Sequence, residues 1–300
     1  MLSDADLRLI EAHHGIQRAN TLALRDLTLD TNSPAASAPP IELESMWHRG
    51  RFAQSLLAPD GPASDRWRAD NAEDLLPFRP HLPSHSPLAT DPWRWIANEN
   101  GLEESGLFTR SLLQWEVFER LRQTGEQQDV IFRLPAWSPP GEATSRPSFL
   151  YMTDSGVLHH LIGLPEVVLN SWDKRPPQYR GGTWDGYRQR SWEGFAISCL
   201  ARAAGVRAHA FYWTAADGEI DLILDWSSSS ECWAIEITIG RNKKLKSYFE
   251  IGCGEVQATR AILLHNSVVG IPKIKWDRGM ARNLEIMTLE EALLEVDAGP

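Results

Sequence analysis

Apolar residues recur along the second half of this chain in two distinct periods. Over 187–204, Trp192, Phe195, Ala196, Cys199, Leu200 and Ala203 fall three and four apart, the stripe of a helix lying on a sheet, and Gly205 is placed to end it. Over 208–213, 219–226 and 232–239 the period drops to two, which predicts three strands. Further strands are expected at 261–265 and 284–287, and a last helix over 289–296. Helix, antiparallel meander, then strand and helix is the order of an α/β fold.

The first half reads as mostly helical. Helical spacing occurs at Leu7, Ile10, Glu11 and His14, around Met46, Trp47 and Phe52, over 92–97, and over 108–121, where Leu112, Trp115, Phe118 and Glu119 share a side. A short strand is expected at 130–134, and Thr153 and Asp154 can cap a helix running to Ile162. The small-residue and proline stretch at 31–40, the five prolines of 77–92 and the loop PAWSPPGEATSRPS separate these elements. The organisation expected is an N-terminal segment and linker over 1–40, a helical, winged-helix-like region with proline-rich loops over 41–148, and a mixed sheet flanked by helices over 149–300.

At 300 residues, with 42% apolar and 23% charged side chains, the chain has an ordinary globular composition. No apolar run approaches the roughly 18 residues of a membrane helix. The start MLSDADLRLIEAHH lacks the basic and apolar segments of a secretory leader. Three cysteines with no CxxC spacing suggest neither a disulfide framework nor a zinc cage, and a reducing cytoplasm is the compartment expected. A net charge of −10 disfavours general adhesion to nucleic acid or an anionic membrane, while leaving a local basic patch free to contact phosphates. Most of the thirteen tryptophans are read as core.

The strongest chemical signal lies in the strands GEIDLILDW and ECWAIEITI. Alternation puts Glu219, Asp221, Ile223 and Asp225 on one face of the first, and Cys232, Ala234, Glu236 and Thr238 on one face of the second. If 227–230 form the loop, Trp226 opposes Glu231, and the same register sets Asp221 against Glu236 and Glu219 against Thr238. Carboxylates directly opposed across strands are destabilising. A bridging Mg²⁺ or Mn²⁺ relieves this; so does protonation of one acid, and so does a sheet face left open to water. Glu193, beside the apolar stripe of the preceding helix, is a third candidate, with pairing to Arg190 or Arg202 as the plainer alternative.

FLYMTDSGVLHHLIG, RSWEGFAISCL, DGEIDLILDW and WAIEITIG together resemble the restriction-endonuclease-like (PD-(D/E)xK) C-terminal domain of uncharacterised function found behind bacterial and archaeal AAA-type ATPases. The resemblance covers about 146–296. Upstream, MWHRGRFAQSLLA and DRWRAD resemble the segment that follows the ATPase core in that family, and residues 21–30 resemble the end of the core itself. No GxxxxGK[ST] loop is present, so ATP binding and hydrolysis are not expected, and a separate ATPase is a natural partner.

The resemblance implies metal-dependent cleavage of nucleic acid. It assigns Glu193 as the helix acid, Asp221 as the first strand acid and Glu236 as the second, all three as ligands of Mg²⁺ or Mn²⁺. The family pattern then places a lysine where this chain has Thr238, so a cation that would steady charge near the scissile phosphate is missing. Arg241, Lys243, Lys244 and Lys246 of RNKKLK are expected as a solvated basic turn, with a substitute charge or a nucleic-acid contact as alternatives. The acidic neighbours of Arg94, Arg110 and Arg120 favour a connecting or protein-contact role for the winged-helix-like region. Two functions follow: a nuclease with a degenerate site, or a non-catalytic module that docks on protein or nucleic acid.

Overall fold

An aspartate followed closely by proline starts two of the N-terminal helices. Asp60 accepts from Ala63 N at 2.7 Å and Asp91 from Arg94 N at 3.0 Å, each satisfying a donor that the first helical turn leaves open. In the computed structural model the residues described are 43–76, 82, 84–88, 91–142, 146–164, 183–216, 218–226, 229–239, 242–245, 247–266, 273–276 and 284–300. The expected N-terminal segment and linker lie outside them.

The first half comprises helices α1 (Leu43–Arg49), α2 (Ala53–Leu56), α3 (Gly61–Leu75) and α4 (Pro92–Asn98), strand β1 (Leu102–Glu103), helices α5 (Glu104–Ser111) and α6 (Trp115–Gln127), and strands β2 (Ile131–Leu134) and β3 (Phe149–Met152). From α4 onward the order is helix, strand, helix, helix, strand, strand, with β3 antiparallel between β1 and β2, which is the topology of a winged helix. Pairing places 149–152 in this sheet, although the sequence changes character at 149.

The single helix expected over 108–121 is in fact α5 and α6. Leu112 breaks it, in the left-handed region at φ 55° and 61% exposed. Leu112 is in phase with Trp115 and Phe118, so the spacing looked continuous across a turn.

Helix α7 (Ser155–Leu161) follows, capped by Asp154, which accepts from Val157 N at 2.7 Å. The other oxygen of Asp154 accepts from Arg51 N at 2.6 Å. Gly50, at φ 78°, lies so close that a Cβ there would collide with the Asp154 carboxylate, and a Cβ on Gly156 would collide with Arg49 O. The turn after α1 and the start of α7 are thus interlocked. Beside them runs a buried polar seam: Trp47 Nε1 donates to Ser191 Oγ at 3.1 Å, and His159 Nε2 meets the same hydroxyl at 2.7 Å.

The second half continues with α8 (Thr183–Ala204), β4 (Ala208–Ala215), β5 (Gly218–Trp226), β6 (Cys232–Thr238), β7 (Asn242–Leu245), α9 (Ser247–Glu255), β8 (Arg260–His265), β9 (Lys273–Trp276), β10 (Leu284–Thr288) and α10 (Leu289–Ala298). A five-stranded mixed sheet runs β10-β8-β6-β5-β4, antiparallel from β4 to β6 and parallel from β6 to β10. Leu222, Leu224, Trp226, Trp233, Ile235 and Ile237 pack with residues of α8 and α10 on one face. Trp213, Ile220, Ile223 and Ala234 pack with Phe249 and Cys253 of α9 on the other. Each Leu, Ile or Phe side chain among them, fully buried, contributes about 1.5–3 kcal/mol.

The elements not expected from the sequence include α3, β1, β3 and β9, and also helix α9 and strand β7. Helix α9 carries Gly252 and Gly254, which mask its pattern; a Cβ on Gly252 would come within 2.6 Å of Ile220 and 2.7 Å of Trp213, so the helix needs glycine to approach the sheet. The RNKKLK stretch is not the turn expected, because Asn242–Leu245 form a strand parallel to β9. Lys243 and Lys244 fall on that strand, and Arg241 and Lys246 lie outside the described residues. Among the described residues, no helix is long and apolar enough to cross a membrane.

Candidate acidic site

The β5–β6 hairpin has the register expected from its serine loop. Leu222 pairs with Ile235, and the ladder continues to Asp225 with Cys232, beyond which Trp226 N donates to Glu231 O at 3.0 Å. Toward its open end the ladder stops at Leu222. Instead of a backbone pair between Asp221 and Glu236, the Asp221 carboxylate accepts from Ile237 N at 2.6 Å. Gln189 of α8 completes the edge, donating to Ile237 O at 3.0 Å and accepting from Ile239 N at 3.3 Å. Two side chains therefore satisfy the stretch of β6 that β5 leaves.

The parting of the strands coincides with a β-bulge. Phe211 pairs with Ile223 and Trp213 with Ile220, so Asp221 and Leu222 together oppose Tyr212. The bulge shifts the alternation by one, which corrects the expected faces: Ile220 joins Ile223 against α9, and no longer Leu222 and Leu224 against α8. Asp221 lies at the switch, in the gap between the strands. Glu236 and Thr238 alternate with Ile235, Ile237 and Ile239 and so belong to the α9 side of β6. Glu219 and Thr238 do not pair as expected; Thr238 is paired with His265 of β8.

Glu193 approaches this gap from α8. Its Oε1 accepts from the Tyr151 hydroxyl at 2.6 Å. Arg202, one of its alternative partners, instead meets Asp129 at 2.5 Å, and Arg190 lies over the Tyr187 ring at 6.0 Å. Burial holds the Glu193 carboxyl well above the usual range, and the negative charge of Asp221 adds to this; the Tyr151 hydrogen bond opposes it, and Glu219 and Glu236 raise it further. Burial, followed by the Glu193 charge, likewise pushes the Tyr151 phenol up. Glu236 is 2% exposed, so the reading in which these acids face open water fails for it. Thr238 is 4% exposed.

Tyr151 and Gln189 are the two site residues that the sequence reading missed. Their contacts span 42 and 48 residues, so no local spacing marks them. The only hint for Tyr151 is a polar tip within the apolar run FLYM.

Hard carboxylate oxygens are the donor chemistry of Mg²⁺ and Mn²⁺, and the repulsion from Asp221 that adds to the effect of burial on the Glu193 carboxyl is what a divalent charge would offset. The donors fit such an ion in kind. As folded, Glu193 and Asp221 each turn an oxygen to a protein donor, and among the described residues no three Asp, Glu, His or Cys side chains are grouped closely enough to hold a metal.

No family model and no solved structure matches this chain. Over 217 residues, 70% of its length, it is 26% identical to two uncharacterised mycobacterial proteins, Rv2008c of Mycobacterium tuberculosis and Mb2031c of Mycobacterium bovis, and the matched region spans 45% of the length of each.

Proposed function

We propose that the C-terminal half is a restriction-endonuclease-like domain with a degenerate site, a metal-dependent phosphodiesterase of nucleic acid slowed by the loss of its lysine. The observation that supports this reading is the Asp221 carboxylate set where β5 and β6 part, with its charge and that of Glu236 acting on the buried Glu193. Asp221 and Glu236 would hold Mg²⁺ or Mn²⁺, with Glu193 as a third ligand. Bound there, the ion supplies Lewis acidity to a phosphate oxygen and a source of activated water. Thr238 offers a hydroxyl but no charge, and the loss of one preorganised donor of this kind costs about 10²–10³ in rate. The second reading, a non-catalytic module, draws support from the burial of Thr238 within the β6–β8 ladder, away from any incoming phosphate.

Thermal melting with and without Mn²⁺, together with plasmid nicking, separates the two. The wild-type chain is expected to melt higher in Mn²⁺, and Asp221→Ala to lose that increment. The comparison is the increment within each variant, because Asp221→Ala also strips Ile237 N of its acceptor, at about 1–3 kcal/mol. Thr238→Lys is expected to raise nicking at least tenfold. An unchanged melting temperature in Mn²⁺ would remove the cation site, and a silent Thr238→Lys in a protein that does bind Mn²⁺ would leave the non-catalytic module standing.

A further inference from the structure

A cleft of about 380 Å³ lies in the first half of the chain, where the α1–α2 turn, the end of α3 and the α6–β2 turn meet β3 and α7. That is the size of a small-molecule site. Its floor is apolar, formed by the buried Leu76, Val130, Met152 and Val157. One wall is charged but closed. Arg51 meets the Asp129 carboxylate, donates to Asp129 O at 3.0 Å and lies 3.8 Å from Asp154, while Arg202 takes the other Asp129 oxygen. These contacts occupy the guanidinium and leave little of it to an anion. The opposite rim is open and negative. Asp74 and Gln128 are exposed there, and among the described residues their side chains meet no partner. Helices α3 and α6 both end at this rim, at Leu75 and Gln127, and neither has a basic residue in its last turn. The negative ends of two helix dipoles therefore add to the Asp74 charge.

We propose that this cleft binds a small organic monocation, an amine whose ammonium sits between Asp74 and Gln128 and whose apolar body lies on Val130, Met152 and Val157. The Met152 thioether favours an aromatic ring as that body. An inorganic cation would meet the carboxylate and leave the apolar floor wet, and a neutral apolar molecule would cover the floor and leave Asp74 unanswered. The cleft is separate from the gap between β5 and β6, and its ligand does not depend on what that gap binds.

The test is a ligand-observed NMR titration of the full chain with phenethylamine, phenethyl alcohol and hydrocinnamate, which carry an ammonium, a hydroxyl and a carboxylate on one phenylethyl stem. Phenethylamine is expected to saturate and to bind about fivefold more tightly than the alcohol, because one exposed ion contact and two helix ends each add a small increment. Hydrocinnamate is expected to bind most weakly. Asp74→Asn, at an exposed position with no partner to lose, is expected to bring the amine to the level of the alcohol and to leave the alcohol unchanged. Leu75→Trp, which fills the cleft from the end of α3, is expected to abolish binding of both. Equal affinity for amine and alcohol in the wild type would overturn the choice of a cation, as would an amine affinity unmoved by Asp74→Asn or tighter binding of hydrocinnamate. Failure of all three compounds to saturate, or undiminished binding in Leu75→Trp, would overturn the cleft as a site.

Discussion

Gly50→Ala is expected to lower the melting temperature of this protein by about 10 °C, and Gly156→Ala to do the same. Gly50 sits at φ 78°, where a Cβ costs about 1–2 kcal/mol from backbone sterics alone. The larger cost comes from Asp154, with which that Cβ would collide. Displaced, its carboxylate abandons Arg51 N and Val157 N, and each largely buried N–H left without an acceptor costs about 1–3 kcal/mol. The sum is about 4 kcal/mol, a large part of a typical total stability, and at this chain length each kcal/mol moves the midpoint by about 2–4 °C. Gly205→Ala is the control. Gly205 also has positive φ, at 55°, but a Cβ there meets nothing within 4 Å, so only the steric term applies. If circular-dichroism melts place Gly50→Ala level with Gly205→Ala, the interlock between α1 and α7 carries no energy beyond backbone strain.

This interlock also explains what two of the sequence motifs are for. MWHRGRF and the TDSG of FLYMTDSG meet through Gly50, Arg51, Asp154 and Gly156, and their work is architectural. The sequence announced them as motifs without revealing this, because glycines that permit a close approach look the same as glycines in a loop. The core of the second half was far more legible. The α8 stripe and the period-two strands each bury one regular face, and the four-serine loop leaves little choice of hairpin register, so Leu222 lies opposite Ile235 as expected.

Legibility failed where tertiary contacts overrode local pattern. Nothing in GEIDLILDW marks a bulge at Asp221 and Leu222, yet that one extra residue moves Ile220 to the other face and leaves Asp221 in the gap. Gly252 and Gly254 hid α9; at Gly252 the helix is pressed against Trp213 and Ile220 and cannot carry a side chain, whereas a Cβ on Gly254 would meet nothing. Of the acidic stretch, spacing named the residue types but set Asp221 against Glu236, whereas the bulge leaves Asp221 in the gap and Glu236 on the α9 side. Its burial and its tyrosine were not readable, since both depend on which surfaces the two halves bring together.

Between pH 6.5 and 4.5, two buried histidines are expected to remove about 5 kcal/mol of stability. His48 and His159 are buried in the seam between α1, α7 and α8, at 1% and 0% exposure. Burial first, and then the charges of His159, Arg188, Arg49 and Arg68, lower His48 to about 2. Burial lowers His159 to about 3, with Arg68 adding to the effect and the contact with His48 O opposing it. Both are therefore neutral in the fold, whereas in the unfolded chain each takes a proton below its ordinary value of 6.5. Above that pH the two states bind protons alike and the full stability is present. Below it only the unfolded state gains protons, so stability drops by about 1.4 kcal/mol per histidine per pH unit until the folded values are reached. Glu193 acts in the opposite direction: its raised carboxyl binds a proton in the fold before it would in the unfolded chain, which favours the fold as pH falls and offsets part of the loss. Guanidinium unfolding at half-unit pH steps measures the net slope. In His159→Gln, which keeps a polar group near Ser191 Oγ without a titrating ring, the slope below pH 6.5 is expected to fall by about one proton. If wild type and His159→Gln show the same slope, the acid lability comes from the carboxylates and the buried histidine pair plays no part in it.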